Sequence, residues 1–136
     1  MKTVFADTSY FFAIINARDV AHRKAMDYSE SVELAPVTTA WVLTELADGM
    51  ASPHRRPAFM RIVESLRANP LCTIIPPSQE IFDLGLELYA SRPDKSWSLT
   101  DCISFVVMRQ QGLTEALSGD IHFQQAGFGA LLAAEP

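Results

Sequence analysis

The chain has 136 residues, the length of one ordinary domain, of which 49% are hydrophobic and 20% charged. Such a composition buries a full core, which excludes disorder and a coiled coil. The net charge of −5 and the pI of about 5.1 lack the basic footprint that usually marks nucleic-acid binding. No apolar run approaches the ~20 residues of a membrane span: the longest extends from Tyr10 to Ile15. Met1 to Phe5 runs straight into a strand with no secretory h-region before it. Cys72 and Cys102 form no metal-type pair, and both sit among apolar residues. Buried free thiols in a reducing cytoplasm are therefore expected.

In chain order, Thr3 to Ala6 reads as a short apolar strand, and Thr8 or Ser9 can cap a helix through Ile15. Asp19 caps a second helix to about Glu30, and Glu33 to Pro36 is a brief strand. Thr38 or Thr39 starts a third helix running to about Met50, which Ser52-Pro53 breaks. A fourth runs from about Arg56 to Ala68. Leu71 to Ile75 is an apolar strand closed by two prolines, and Ser78 opens a helix to about Ala90. A polar loop, Ser91 to Trp97, precedes a helix from Leu99 to Gln111 that Gly112 ends. Ala116 to Ser118 is a strand, a short helical piece follows, and Gly127 to Leu132 is the last strand. Strands separated by helices specify a mainly parallel α/β sheet, in a single domain over residues 1–136, with helices on both faces. Ligands bind such sheets outside the carboxyl ends of the strands.

That edge collects acids. Asp7 follows the first strand, where a plain helix cap is the competing reading. Asp120 follows the Ala116-Leu117-Ser118 strand, where an ordinary Gly-Asp turn competes. Asp101 lies three residues after Ser98, in a capping box that would stabilise its helix without any further role. That helix is apolar nearly all round, and its amino end points to the same edge. Glu45 falls within the apolar arc of the third helix, set by Trp41, Val42, Leu43, Leu46 and Met50 at about 100° per residue. Asp48 falls on the polar side. A core-facing carboxylate is costly unless paired or metal-bound, and one turn either way lie only Trp41 and Gly49. Several carboxylates without Cys or His form a hard-oxygen site suited to Mg2+ or Mn2+. The chemistry such a site supports is metal-assisted phosphodiester hydrolysis.

These residues resemble the PIN-domain ribonucleases, and within them the VapC-type toxins of bacterial toxin–antitoxin pairs. The resemblance rests on Phe5-Ala6-Asp7-Thr8-Ser9, Leu43-Thr44-Glu45-Leu46, Trp97-Ser98-Leu99-Thr100-Asp101-Cys102 and Ser118-Gly119-Asp120-Ile121-His122-Phe123, and it extends to Gln125-Ala126-Gly127-Phe128. It covers almost the whole chain, and four acids in this order are a specific signal. It implies a PIN-like fold with Asp7, Glu45, Asp101 and Asp120 as catalytic metal ligands, and Ser118 as an orienter of a carboxylate or water. It further implies Mg2+-dependent cleavage of structured RNA (tRNA or rRNA), a cognate antitoxin protein as partner, and a homodimer.

Competing families fit less well. A haloacid-dehalogenase-type phosphatase needs a second Asp two residues after Asp7, where Ser9 stands. A receiver domain needs a late lysine, and the only lysines are Lys2, Lys24 and Lys95. The remaining alternative is a PIN-like module that binds RNA or protein without cutting. His54-Arg55-Arg56 with Arg61 and Arg67, Arg18 to Lys24, and Arg92 with Lys95 are candidate phosphate contacts. The histidines share no ligand spacing, and Phe11, Phe12, Trp41 and Phe105 read as core.

Overall fold

The computed structural model describes residues 1–133. Its strands are β1 (Lys2–Ala6), β2 (Leu34–Thr39), β3 (Thr73–Ile75), β4 (Glu115–Leu117) and β5 (Gly129–Ala130). The helices are α1 (Thr8–Ile15), α2 (His22–Ser29), α3 (Ala40–Gly49), α4 (Arg56–Ala68), α5 (Gln79–Ser91), α6 (Leu99–Gln111) and α7 (Ile121–Gln125). The strands form one sheet in the order β3-β2-β1-β4-β5, every neighbouring pair parallel. The α/β architecture expected from the sequence is thus the one the chain adopts. Strand order reverses at β1: the chain builds outward to β2 and β3, then returns to lay β4 on β1's other side. Parallel crossovers are right-handed, so the connections on the two sides cross opposite faces of the sheet, and the topological switch point falls where β1 and β4 end.

Alternation along the strands assigns side chains to the two faces. Phe5 reaches the face where Phe105 of α6 and Phe123 of α7 pack. The Phe5–Phe123, Phe105–Phe123 and Trp97–Phe105 ring centroids lie 6.3, 4.9 and 5.1 Å apart. Such pairs add about 0.5–1.5 kcal/mol each beyond their area burial. Ala6, Thr38 and Leu117 face the other way, onto a cavity of about 620 Å3 closed by α1, α2 and α4. Helix α6 is buried along most of its length, from Asp101 through Met108. Its approach to α5 requires Gly85, since a Cβ there would stand 2.4 Å from Ile103 Cγ1. Gly112 ends α6 in the left-handed region at φ +67°, a conformation that costs glycine little.

Several boundaries differ from those read in the sequence. Asp19 does not cap α2: its carboxylate accepts the Ala21 N–H at 2.8 Å and its carbonyl the His22 N–H at 3.0 Å. A turn results, and the helix begins at His22. Strand β2 runs past Pro36 to Thr39. The proline is tolerated because β3 pairs only with residues 37–39, leaving β1 as its sole neighbour there. Thr39, at the strand's end, caps α3 by accepting the Val42 N–H at 3.0 Å. Strand β3 is shorter than expected, β4 is shifted one residue earlier, and β5 is only two residues long. Leu131 and Leu132 nevertheless donate to Ala116 and Ser118 carbonyls, so that segment does follow β4. Cys102 is buried as expected, whereas Cys72 and Trp41 are only half-buried.

Candidate active site

The β1–β4 register pairs Phe5 with Ala116 and Ala6 with Leu117, so the next step along both strands sets Asp7 beside Ser118. Asp7 occupies the N-cap position of α1 yet makes no capping hydrogen bond to it. Its Oδ2 instead accepts from Ser118 Oγ at 2.9 Å and from Ser9 Oγ at 3.0 Å. The hydroxyls in turn fix the loop after β4: Ser118 Oγ accepts the Asp120 N–H at 3.0 Å, and Ser9 Oγ accepts the Gly119 N–H at 3.2 Å. Asp7 is 4% exposed. Burial pushes its carboxyl up to about 6; the Ser118 hydrogen bond opposes this, the Asp101 charge adds to it, and Ser9 and the Thr8 amide oppose it more weakly.

Asp101 comes from the first turn of α6. Its capping box is complete: Ser98 Oγ accepts the Asp101 N–H at 3.0 Å, and Asp101 Oδ2 accepts the Ser98 N–H at 3.1 Å. The capping reading of this residue is therefore correct as far as it goes. The same Oδ2 also lies 2.9 Å from His122 Nδ1. Burial holds the Asp101 carboxyl above the ordinary range against the pull of the Ser98 amide and His122, with Asp120 raising it further.

Asp120 caps α7, its Oδ1 accepting the His122 N–H at 3.0 Å, and that oxygen lies 3.3 Å from His122 Nδ1. Asp101, Asp120 and His122 thus each offer a ligand atom within 4.8 Å of the others. Asp7 joins them through the Asp101 charge and through Ser118. Glu45 stands apart. It is half-buried on α3, a helix that packs on α6. Like Asp7 it is not among the residues whose ligand atoms converge, and unlike Asp7 it has, among the described residues, no hydrogen bond or charge contact that links it to them.

Two members of the site were missed in the sequence. Ser9 reads as a helix cap, but its hydroxyl turns back two residues to Asp7. His122 has no partner histidine at ligand spacing; its partners are Asp120, two residues earlier, and Asp101, in another helix. The Asp120-x-His122 spacing across a helix start was the available signal. Beyond this group, Trp97 Nε1 donates to Gln125 Oε1 at 3.0 Å, tying the approach to α6 onto α7. Arg92 lies over the Trp97 ring at 5.0 Å and pairs with Asp94. With Lys95 and Tyr89 it lines a cavity of about 470 Å3 that reaches Cys102, the neighbour of Asp101.

The donor set fits a divalent cation. Buried carboxylates that raise one another's proton affinity gain most from a positive ion, and oxygen ligands with one imidazole are a first-row or magnesium set. A parallel sheet with acids at its topological switch point has the donors that such an ion needs.

Residues 4–129 match the PIN domain family, and the chain belongs to it. It is 29% identical over 128 residues to the 23S rRNA-specific endonuclease VapC20 of Mycobacterium tuberculosis, spanning 92% of this chain and 95% of that protein. The crystal structure of VapC20, described as a Sarcin-Ricin loop cleaving toxin, superposes with a TM-score of 0.81 at 25% identity, covering 92% of this chain and 95% of that one. The fold is shared with VapBC2 from Rickettsia felis, solved bound to a promoter DNA fragment. There the TM-score is 0.67 at 12% identity, with 94% and 96% covered.

Proposed function

We propose that the chain is a divalent-metal-dependent endoribonuclease acting on structured RNA, the toxin of a toxin–antitoxin pair. The observation that carries the reading is the meeting of Asp101 and Asp120 with His122, beside a buried Asp7 that Ser118 and Ser9 hold at the end of β1. Asp7, Asp101 and Asp120 would hold the ion, with Glu45 the fourth acid of the site. Mg2+ is the assigned ion and Mn2+ its substitute. When bound, the ion polarises a phosphodiester and lowers the pKa of an attacking water.

The protein's own contribution is positional. Ser118 and Ser9 fix one oxygen of Asp7, and the capping box fixes Asp101. Burial holds the metal-free Asp7 carboxyl up at about 6, and a bound cation would keep it ionised as a ligand. Lys95 and Arg92, which line one cavity just before α6, would meet the RNA backbone and offset the acidic surroundings. Ribosomal RNA is the favoured substrate class over tRNA because a relative that matches along nearly the whole chain is named for 23S rRNA. A cognate antitoxin, a homodimeric state and a cytoplasmic setting belong to the same reading. No helix among the described residues is long and apolar enough to cross a membrane.

The test is to incubate the protein with a sarcin–ricin-loop RNA and with tRNA, in Mg2+, Mn2+ or EDTA, and to map the new RNA ends. Metal-dependent cuts at discrete positions are expected. RNA binding without cleavage in either metal would favour the inert-module alternative.

A further inference from the structure

His122 is the one member of the converging group that the acidic reading does not use. Its Nδ1 lies 2.9 Å from Asp101 Oδ2 and 3.3 Å from Asp120 Oδ1. Around an octahedral ion with bonds of ~2.1 Å, adjacent ligand atoms stand about 3 Å apart. Both spacings are near that edge length, so a cation replacing the hydrogen bond between ring and carboxylate would find these atoms already at ligand spacing, on the starts of two different helices. The placement is built in rather than incidental. The Asp120 carboxylate accepts the His122 backbone N–H at 3.0 Å, so ring and carboxylate arrive as a unit from the first turn of α7. Phe123, the next residue, is fully buried and anchors that turn in the aromatic core. Capping α7 needs only the backbone of residue 122; it does not require a ring nitrogen facing both acids.

We propose that His122 is the nitrogen ligand of the metal centre, binding through Nδ1 beside Asp101 and Asp120. This rests on the metal-nuclease reading above. Nδ1 is then unprotonated and the ring proton sits on Nε2. The consequence is selectivity. An imidazole nitrogen is a poorer ligand for Mg2+, which prefers oxygen, than for any first-row ion, so the site discriminates for Mn2+ over Mg2+ more strongly than carboxylates alone would.

The decisive experiment loads the full chain with Mn2+ alone, carrying 15N-labelled histidine, and records pulsed EPR. A nitrogen directly coupled to Mn2+ is expected in the wild type, a result that needs no variant. The coupling should persist in His22→Asn and His54→Asn and vanish in His122→Asn. By calorimetry, His122→Asn should weaken Mn2+ by ~10-fold or more, the scale of losses when metal-site residues are removed, and Mg2+ by less. A melting curve of each metal-free variant verifies that it is folded. If Mn2+ binds at a single site without nitrogen coupling, or if the coupling survives in His122→Asn, His122 is not a ligand, while the metal reading stands. If no Mn2+ binds at all, both readings fall together.

Discussion

Asp7 and Asp120 follow neighbouring parallel strands, yet the fold treats them in opposite ways. Asp7 sits at an N-cap position and does not cap; its carboxylate is buried and spent on two serine hydroxyls from separate segments. Asp120 does cap its helix, and about a third of its side chain remains exposed. The difference separates two ways of placing an acid in a site. Asp120, like Asp101 in its capping box, is positioned by a bond that also stabilises local structure. Asp7 has given up that local gain, and the desolvation it bears shows in a carboxyl raised to about 6. Substitutions at Asp101 and Asp120 therefore disturb folding and chemistry together, while those at Asp7 set the two in opposition.

The largest expected effect tests that opposition. Asp7→Asn should lower RNA cleavage by at least ~10²-fold, as when a group stabilising transition-state charge is removed. It should also raise metal-free stability at neutral pH. The sign follows from the raised pKa. Stability contributed by protonated Asp7 is complete below the ordinary value of 3.8 and is lost as pH rises through about 6. The wild-type metal-free melting temperature should thus fall over that window, by an amount on the order of 2–3 kcal/mol in unfolding free energy. Asp7→Asn should flatten the profile, and Mg2+ or Mn2+ should restore stability at neutral pH by mass action. Melting curves from pH 4 to 8, with and without metal, check all three. A wild-type profile that rises through this range would show that Asp7 is not the strained acid described.

Next in size is Ser118→Ala, which strips a donor from Asp7 and an acceptor from the Asp120 N–H. Losing buried partners costs about 1–3 kcal/mol, and the remaining Ser9 bond should leave Asp7 raised further. Urea unfolding read beside the pH profile would show this; an unchanged profile would place Ser118 outside the control of Asp7. The smallest effect is expected at Asp48→Asn, on the exposed side of α3. Stability should change by no more than ~0.5 kcal/mol, with cleavage retained. Glu45→Gln, on the same helix, is the informative partner. A cleavage loss of ~10²-fold would place Glu45 among the ligands despite its separation from the Asp101–Asp120–His122 group, and wild-type turnover would leave a centre of three acids.

Much of this was legible in the sequence because it was local. The strand–Asp junction at Asp7, the Ser98–Asp101 box and the Ser118-Gly119-Asp120 turn are short patterns that place an acid at a helix start or turn whichever role it takes. The nearly all-apolar α6 could only be buried. Strand order was not legible, since nothing local records that β4 returns to the far side of β1. That juxtaposition makes Ser118, read as the last residue of its strand, a donor to Asp7. His122 escaped for the same reason, its link to Asp101 joining two helices. Glu45 shows the converse: a helical wheel places a residue on an arc, but only packing decides how deeply that arc is buried. For Glu45 the outcome is half-burial.

The most direct measurement of the central claim is the rate at which the chain cuts a sarcin–ricin-loop RNA across a Mg2+ titration, wild type beside Asp101→Asn. Asparagine can still accept the Ser98 N–H, so circular dichroism should show the variant folded. Wild-type cleavage should rise with Mg2+ and cease in EDTA, and the variant should be slower by at least ~10²-fold at every concentration. Equal rates for the two proteins, or wild-type cutting that persists in EDTA, would contradict it.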